Sequence, residues 1–477
     1  MVQTPRSPPS APLVGNLRRF AHDPLRYLDA VRDAYHDPLL RLSGPGGDVY
    51  VVLSPAFVRR ILVDDRGRYR KADLRPELTG PFLGNGLLTA EGDSWARQRR
   101  RLDPAFTPRA VREYVASIRE HTARIADEWR TDADRDLHAD MTDVTVRVIA
   151  ETLLGTDLDA SDVATVAAAM DDLADSFGPS AFRALLPSWF PRRRPAGFDR
   201  AIESLDALAE RVIEEHRVPD PPDDVVTTLL EAVDSGEIER RQVRDEVVTL
   251  LLAGHETTAL VLTYAWVLLS REGDDTDDSF SREGDDTDDG SPNGDEGGGG
   301  DGDGSVDVGG DRTVIGRLHD EVDSLDGPPG WDDLDALSYV EAVANESMRL
   351  YPPVWALFRE PRVDARLGDY RVPPGTPMVL PQWAIHRDGR HFEDPLSFRP
   401  GRWLDRTPAE TPAFFPFGAG PRACIGRTFA LVEAELVLAT LAREFDVTVH
   451  DTDPDLDIGI TMRPDGPVRG RVTPRSR

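Results

Sequence analysis

The sequence predicts a mainly α-helical fold with a small β region, an α+β architecture. Apolar residues recur three and four positions apart through much of the chain before residue 270, which is the periodicity of amphipathic helices. After residue 350 the pattern changes, because prolines and glycines interrupt short runs of β-forming residues. Hydrophobic residues make up 39% of the chain, which is enough for a sizeable core.

The individual elements follow in chain order. A hairpin is predicted near the N-terminus, with strands over 39–42 and 49–53 joined around Gly44-Pro45-Gly46-Gly47. Residues 370–383 predict short strands and turns, since Pro373, Pro374, Gly375 and Pro377 lie among β-formers. Helical periodicity predicts helices over 143–154, 201–216, 244–269, 313–322, 339–350 and 425–444.

One compositional break lies at residues 271–311. The nonamer beginning at Ser270 recurs at Ser281, and a run of glycine and aspartate follows. The segment carries −14 of the formal charge of −30 and has almost no apolar side chains to offset the entropy of ordering. It is predicted to be a disordered acidic loop insertion within one catalytic domain, residues 1–477. A cation-binding loop is the alternative, although the spacing does not fit an EF-hand.

The charge pattern excludes some functions. A net charge of −30 argues against nucleic-acid binding. Lys71 is the only lysine, and with the acidity this indicates adaptation to high salt, where screening weakens self-repulsion. A haloarchaeal origin is the corresponding expectation. The alternative is an acidic protein from an arginine-rich, GC-biased proteome.

The N-terminus lacks the apolar region of a signal peptide, since residues 1–12 are rich in proline and serine. The longest strongly apolar segment, residues 259–269, is too short to span a bilayer. The sequence therefore predicts a soluble cytoplasmic protein without a membrane anchor.

Cys424 is the only cysteine, so it has no partner for an internal disulfide. Glycines and a proline rigidify the approach to it, Arg422 lies two residues before it, and an apolar helix follows. A thiol at a helix N-terminus is placed where the helix dipole and free N–H groups favour the thiolate. The alternative is a buried free cysteine that acts as core filler.

The pattern F-x-x-G-x-R-x-C-x-G from Phe417 to Gly426 resembles the heme-binding loop of cytochrome P-450. The resemblance implies heme b as cofactor, held between a long oxygen-activation helix and the helix after the cysteine. Cys424 would be the thiolate ligand of the iron. The cofactor-binding residues implied by the family's motifs are Trp95, Arg99, Arg359, Phe417, Arg422 and Gly426.

The predicted helix 244–269 contains Ala253-Gly254-His255-Glu256-Thr257-Thr258, in which a glycine and two threonines cost helix stability. A glycine here would let a flat ligand approach the backbone. The segment resembles the family's oxygen-activation motif. By that resemblance Glu256 and Thr257 are the catalytic acid–alcohol pair that supplies protons during oxygen activation. His255 is interpreted as a packed or hydrogen-bonded side chain and not as a metal ligand.

Glu346 and Arg349 lie three residues apart on one predicted helix, and Arg402 follows in a Phe-Arg-Pro-Gly-Arg-Trp stretch. The resemblance implies that these three residues form a buried structural charge group. It assigns them to folding and heme retention and not to chemistry.

The predicted function is a heme-thiolate monooxygenase that uses dioxygen to hydroxylate or epoxidise an apolar substrate, such as a fatty acid, a carotenoid or another lipid. The chain has no flavin- or nucleotide-binding glycine motif, so a separate ferredoxin with its reductase is expected to supply electrons. A peroxide-driven heme-thiolate enzyme and a non-enzymatic heme-binding protein are the alternatives. Predicted ferredoxin contacts are Arg97, Arg100, Arg101 and Arg427. Predicted substrate-lining residues are Leu78, Phe82, Leu83, Leu87, Leu88, Leu250, Ala253, Val354, Trp355 and Leu357.

Overall fold

The computed structural model describes residues 3–9, 16–44, 47–72, 76–177, 197–274 and 313–476. Helices dominate these ranges, as the sequence predicts. In chain order they are α1 (Leu17–His22), α2 (Pro24–Ala34), α3 (Pro55–Arg59), α4 (Pro76–Leu83), α5 (Gly92–Leu102), α6 (Pro108–Thr131), α7 (Leu137–Leu154), α8 (Ala160–Phe177), α9 (Phe198–Glu215), α10 (Val225–Asp234), α11 (Arg240–Asp274), α12 (Val314–Asp323), α13 (Ser338–Leu350), α14 (Gln382–His386), α15 (Arg402–Asp405) and α16 (Arg427–Glu444).

The strands are short and form small sheets. In chain order they are β1 (Leu39–Gly44), β2 (Gly47–Val52), β3 (Tyr69–Lys71), β4 (Asp134–Asp136), β5 (Ala356–Pro361), β6 (Ala365–Leu367), β7 (Tyr370–Val372), β8 (Met378–Pro381), β9 (Phe445–Val449), β10 (Leu456–Ile458), β11 (Met462–Pro464) and β12 (Arg469–Pro474). The main sheet has the order β1-β2-β8-β5-β3, and β4, β12 and β9 form a second sheet. β6 pairs with β7, and β10 pairs with β11.

The predicted α+β class is confirmed, and most predicted elements lie within a few residues of the observed ones. β1 and β2 form the predicted antiparallel hairpin, whose turn residues 45 and 46 lie outside the described residues. α11 begins at Arg240 and continues to Asp274, so the first four residues of the predicted insertion are helical. Residues 275–311 of that insertion lie outside the described residues.

Helix starts are set by short polar side chains that accept hydrogen bonds from otherwise unpaired backbone N–H groups. Asp136 caps α7 by accepting from the Ala139 N–H, and Asp224 caps α10 through the Thr227 N–H. α7 ends at Gly155, whose φ of 57° lies in the left-handed region that favours glycine. These local signals fix the ends of helices that pack around α11.

α11 lies in the middle of the fold. It is long and apolar enough to cross a membrane by composition, but 83% of its most apolar window is buried inside the protein. This burial is typical of a core helix that packs on its neighbours all round. Residues of α11 and the helices around it belong to one continuous hydrophobic cluster with the main sheet.

Gly254 of α11 has a different role from the predicted one. A Cβ built on Gly254 would lie only 2.5 Å from Cδ1 of Ile149, a residue of α7. The glycine therefore allows α7 to pack closely on α11, and the approach of a flat ligand to it stays a prediction. The adjacent Ala253 is the residue that is left uncovered.

Candidate heme site

The cysteine loop precedes α16 and is shaped by glycines. Gly418 and Gly420 have φ values of 70° and 71°, and a Cβ on Gly420 would collide with the carbonyl oxygen of Leu62. The Cys424 N–H donates to the Phe417 carbonyl at 2.9 Å, which closes the loop on itself. The sequence motif therefore corresponds to a rigid turn that presents the cysteine at the N-terminus of α16.

Buried polar groups brace this loop from behind. The Phe415 N–H donates to Nε2 of His386 at 3.1 Å, and the side chain of Gln382 donates to the Phe415 carbonyl. Both His386 and Gln382 are fully buried in α14. Burial lowers the pKa of His386 to about 3, so its ring is neutral and its Nε2 is free to accept.

The Cys424 side chain is exposed and yet closely surrounded by protein, which indicates internal space beside it. It is accessible to a water-sized sphere, yet burial by the surrounding protein raises the pKa of its thiol. The Gly426 N–H and the charge of Arg99 lower that pKa, but they do not outweigh the desolvation. Without a bound cation, desolvation is thus the largest influence on the pKa of the thiol. A metal cation at the sulfur reverses this balance, because a coordinating thiol is deprotonated.

α11 carries a second uncovered patch inside the fold. Between Val243 and Ser270 every residue is buried except Ala253, Gly254 and Thr257. The Thr257 hydroxyl donates to the Ala253 carbonyl at 3.0 Å, which fixes its orientation one turn along the helix. An alanine and a threonine left uncovered in the middle of a core helix indicate internal space beside that helix.

Glu256, the other member of the predicted pair, is buried and held by charged neighbours. Burial raises the pKa of its carboxyl, whereas Arg463 and Thr461 lower it. Nη1 of Arg463 lies 3.6 Å from Oε1 of Glu256, and Nη2 of the same arginine lies 2.7 Å from Oδ1 of Asp171. The Asp171 carboxylate is largely exposed. Arg463 of β11 therefore lies between Glu256 and the surface carboxylate of Asp171 on α8.

His255 is buried, and its Nδ1 hydrogen-bonds the Leu251 carbonyl. Burial lowers its pKa to about 4. A neutral ring bonded within its own helix agrees with the prediction that His255 is a structural side chain.

A group of partly buried basic side chains lies where β3 pairs with β5. Lys71 is directly opposite Arg359 in this register, and Arg422 and Glu91 are close to both. Burial and the two arginines lower the pKa of Lys71 to about 7, and burial with Arg422 lowers that of Arg359 to about 10. Among these described residues Glu91 is the one carboxylate that offsets three cations. The cluster is therefore suited to bind further anionic groups.

The sequence predicts Arg359 and Arg422 for this role but gives no such indication for Lys71, which stands out only as the single lysine of the chain. Its partners are far away in sequence, and only the pairing of β3 with β5 brings them together. No local pattern around Lys71 carries that information.

Trp95 and Arg99 of α5 support the cluster and the cysteine loop. The Arg422 guanidinium stacks over the Trp95 ring, 4.5 Å from its centroid. Arg99 donates to the Ala423 carbonyl at 2.9 Å and pairs with Asp103 at 2.7 Å. The structure thus places Trp95 against the cation cluster and Arg99 directly behind the cysteine loop.

The predicted charge group is present and larger than predicted. Glu346 and Arg349 are both fully buried, and two hydrogen bonds of 2.9 and 2.8 Å join them. Arg402 donates to Glu346 at 3.0 Å, and so does the Trp403 indole N–H at 2.9 Å. The group lies beside α14, since Arg349 also donates to the carbonyl of His386.

The predicted substrate-lining residues separate into two sets. Leu78, Phe82, Leu83 and Leu250 are buried and belong to the core. Leu88 is 41% exposed, which is unusual for a large apolar residue next to buried neighbours. Of the remaining predicted residues, Leu87, Val354 and Leu357 are partly covered, Trp355 is buried and Ala253 is exposed.

Taken together, these residues fit a heme. The described residues offer one exposed thiol, a small uncovered patch of α11, and a partly buried group of basic side chains that suits two propionate carboxylates. A metal porphyrin with a thiolate ligand satisfies all three features. The fold and site therefore define a heme-thiolate protein.

Comparisons with known proteins identify the family. The family model described as "Cytochrome P450" matches residues 5–274 and 310–467. Cyclooctatin synthase of Streptomyces melanosporofaciens is 31% identical over 91% of this chain and 88% of its own length. Pentalenene oxygenase of Streptomyces avermitilis is 29% identical over 95% and 92% of the two chains. The chain belongs to the cytochrome P-450 family, so it is a monooxygenase with heme b as its cofactor.

A solved structure gives the same result. The crystal structure of CYP175A1 from Thermus thermophillus superposes with a TM-score of 0.72 at 27% identity, covering 99% of this chain and all of that one. The family model leaves out residues 275–309, which lie inside the predicted insertion. The acidic repeat is thus additional to the pattern that the family shares.

Proposed function

We propose that this P-450 enzyme hydroxylates or epoxidises an apolar, lipid-like substrate with one atom of dioxygen. The observation that supports this most directly is the uncovered patch of Ala253 and Thr257 on an otherwise buried helix. The relatives' names refer to cyclooctatin and pentalenene. We extend this to the present chain as a preference for terpene-like hydrocarbons over charged molecules.

The residues have distinct roles in this proposal. Cys424 holds the iron as a thiolate, and Lys71, Arg359 and Arg422 hold the propionates. The bound heme supplies the oxidising chemistry, which the protein itself lacks. The protein excludes bulk water from the enclosed space and brings protons to it at defined atoms.

Thr257 and Glu256 are the proton-delivering residues. The Thr257 hydroxyl is oriented by the Ala253 carbonyl at 3.0 Å, so its lone pairs are available toward the enclosed space. Glu256 lies next to it in sequence and is linked through Arg463 to the exposed Asp171. In this proposal Glu256 passes protons to the Thr257 hydroxyl, and Arg463 holds the Glu256 carboxyl in place without itself transferring protons.

Substitution of Thr257 tests these roles. We expect Thr257→Ala to consume oxygen while yielding about tenfold less product per oxygen, because the hydroxyl that delivers protons is absent. The measurement is product and hydrogen peroxide formed per oxygen consumed, with Thr257→Ser as the matched control that keeps the hydroxyl. Equal coupling in Thr257→Ala and wild type would assign Thr257 to helix packing alone.

Two assays separate the alternatives and the substrate classes. Oxygen consumption that requires NADPH and a redox partner supports a monooxygenase cycle, whereas product formation with peroxide alone indicates a peroxide-driven enzyme. Spectral titration with sesquiterpenes, diterpenes, carotenoids and fatty acids then tests the proposed preference, and tight binding of charged molecules only would contradict it.

The electron donor in this proposal is a separate ferredoxin with its reductase. Arg97, Arg100 and Arg427 are exposed, and none of them forms an ion pair with another described residue. Arg97 and Arg100 lie on α5, whose Arg99 contacts the cysteine loop, and Arg427 follows Cys424 by three residues. Arg101 differs, since it pairs with Glu237 at 2.8 Å. Exposed arginines on an acidic body attract an acidic partner to this face.

Replacing two of these arginines tests the docking face. We expect Arg97→Gln together with Arg100→Gln to slow ferredoxin-driven reduction by about tenfold at low salt. Arg101→Gln is the matched control, because its charge is already offset by Glu237. Reduction by dithionite should stay unchanged in both. At 1 M salt, where the Debye length is about 3 Å, the difference should shrink. Equal rates in wild type and double variant at low salt would contradict the docking site.

The protein is also proposed to be cytoplasmic and active at high salt. The net charge of −30 and the near absence of lysine support it, because such a surface stays soluble when salt screens its self-repulsion. Thermal unfolding measured from low to molar salt is the corresponding test, and a stability that falls with salt would contradict it.

A further inference from the structure

Lys71 is the only lysine of the chain, so every other strongly basic side chain is an arginine. The two residue types differ in one chemical respect that matters inside a protein. A lysine loses its proton near neutral pH when burial and like charges act on it, whereas an arginine stays charged. A single lysine within a group of arginines therefore draws attention to its proton.

Lys71 lies against two arginines. The antiparallel register of β3 and β5 places it directly opposite Arg359, and Arg422 of the cysteine loop adds a second positive charge. The next residues along the same strands, Arg70 and Glu360, form an ion pair in which the two charges offset each other. The unbalanced positive charge at this place therefore belongs to Lys71, Arg359 and Arg422.

Among the described residues, Glu91 is the carboxylate that acts on these three cations, and other donors occupy it. Its Oε2 accepts from Arg362 at 2.8 Å. Its Oε1 lies 3.2 Å from Nη2 of Arg422 and accepts from the backbone N–H of Lys71 at 3.3 Å. The Lys71 side chain instead donates to the carbonyl of Leu88, a neutral acceptor. Glu91 thus holds the arginines and the strand, and it does not pair with the Lys71 amine.

These contacts make the proton of Lys71 easy to lose. Burial and the two arginines lower the pKa of Lys71 to about 7, and Glu91 offsets only part of that effect. The bond to the Leu88 carbonyl suits both forms of the side chain, because a neutral amine and an ammonium each have an N–H to donate. The protein's own groups therefore leave Lys71 close to half-protonated at neutral pH.

Two carboxylates beside the cluster would reverse this balance. An opposite charge within about 4–6 Å favours the charged form of an ionisable group. Heme b carries two propionate carboxylates, and Lys71, Arg359 and Arg422 suit them by charge. Binding of the propionates should therefore draw a proton onto Lys71, and their departure should release it.

We propose that Lys71 couples heme binding to protonation, because it holds the propionates as an ammonium and gives up a proton when the heme leaves. This inference rests on the proposed function only in that the propionates lie against this cluster. Arg359 and Arg422 attract the carboxylates at every physiological pH, and Lys71 adds the pH-dependent part.

The sign of the pH dependence follows from linkage. The contribution of Lys71 to heme affinity is fully present below the pKa that the amine has without heme, about 7. It is lost as the pH rises toward the higher pKa that the amine has with heme bound. In that interval the affinity for heme should fall by up to about tenfold per pH unit.

The single lysine permits a direct test by nuclear magnetic resonance. Full-length enzyme made with lysine labelled with ¹³C at Cε has one labelled side chain, whose chemical shift reports its protonation. The reduced, carbon-monoxide-bound enzyme is diamagnetic and gives the titration of Lys71 with heme. The same protein, after its heme has been transferred to excess apomyoglobin, gives the titration without heme. We expect a midpoint near pH 7 without heme and one at or above the ordinary value of lysine with heme.

Counting protons gives a second readout that starts from the holoenzyme. Heme is transferred to excess apomyoglobin in a weakly buffered indicator solution, and the protons released per heme are measured. Wild type should release about 0.9 proton more per heme than Lys71→Arg at pH 8, and only about 0.1 more at pH 6. Protons exchanged by Cys424 and by apomyoglobin are common to both proteins and cancel in the difference.

Two further variants control this comparison. Lys71→Met removes the titrating group without adding a fixed charge, so it should match Lys71→Arg in proton count, and it replaces that variant if arginine does not fit. Arg366→Lys adds a lysine at an exposed position of β6 and should match wild type, because an exposed lysine keeps its proton at pH 8.

Equal proton counts in wild type and both Lys71 variants at pH 8 would overturn the proposal. So would a Lys71 resonance that titrates at the same pH with and without heme, and that measurement needs no variant. Neither readout involves turnover. An enzyme that passes both but oxidises no apolar molecule would therefore contradict the proposed function and leave this inference standing.

Discussion

Replacement of Cys424 by serine is expected to remove heme-thiolate character altogether. Cys424 is the only cysteine, so no other residue of the chain is able to supply a thiolate. A serine oxygen is a harder ligand than sulfur, and its hydroxyl is far less acidic than a thiol, so it stays protonated in a site where burial already opposes charge. The reduced protein with carbon monoxide should lose the red-shifted band that thiolate ligation gives, and most of its heme should dissociate during purification.

Ala423→Ser is the matched control for this change. It adds a hydroxyl next to Cys424 and leaves in place the Ala423 carbonyl that accepts from Arg99. The control should retain the heme and the band. A thiolate-type band in Cys424→Ser would contradict the assignment of the iron ligand. Loss of heme in both variants would show only that the loop tolerates no hydroxyl.

The parts of the site that were predictable from sequence are those encoded by consecutive residues. The cysteine loop needs glycines at positive φ and a cysteine at fixed spacing, so its geometry is contained in Phe417–Gly426. The pair Glu346 and Arg349 is likewise local, because residues three apart share a helix face. Such motifs can be interpreted from consecutive residues, without knowledge of the rest of the fold.

The missed features all depend on contacts between distant parts of the chain. Lys71 joins the cation cluster through the pairing of β3 with β5. Arg463 reaches Glu256 because β11 lies against α11, although Arg463 follows that helix by almost 200 residues. The sequence predicts that Gly254 lets a ligand approach the helix, but Ile149 of α7 occupies the position where a side chain at residue 254 would lie. Nothing in the sequence around these residues indicates such partners.

The buried charge group around Glu346 has consequences for both stability and the heme loop. Oε1 of Glu346 accepts from Arg349, Arg402 and the Arg399 N–H, and Oε2 accepts from Arg349 and the Trp403 indole. Without the Glu346 carboxylate, all five of these donor groups would lose an acceptor inside the protein. Arg349 also donates to the His386 carbonyl at 2.9 Å, and the ring of His386 accepts from the Phe415 N–H. The group therefore connects α13 to the residues that brace the cysteine loop.

Glu346→Gln should destabilise the protein by about 3–5 kcal/mol, the cost of leaving a buried charge group without one of its members. Glutamine keeps the shape, but its NH₂ group replaces one acceptor and faces donors such as Trp403, while two arginines lose their counter-charge. The free energy of unfolding of the heme-loaded protein, measured with denaturant, gives the size of the effect. Glu341→Gln, at an exposed position on the same helix, is the matched control and should change stability by less than about 0.5 kcal/mol. Because the group also braces the cysteine loop through His386, heme should dissociate faster from Glu346→Gln than from the control. Equal stability of the two variants would contradict the structural role of the charge group.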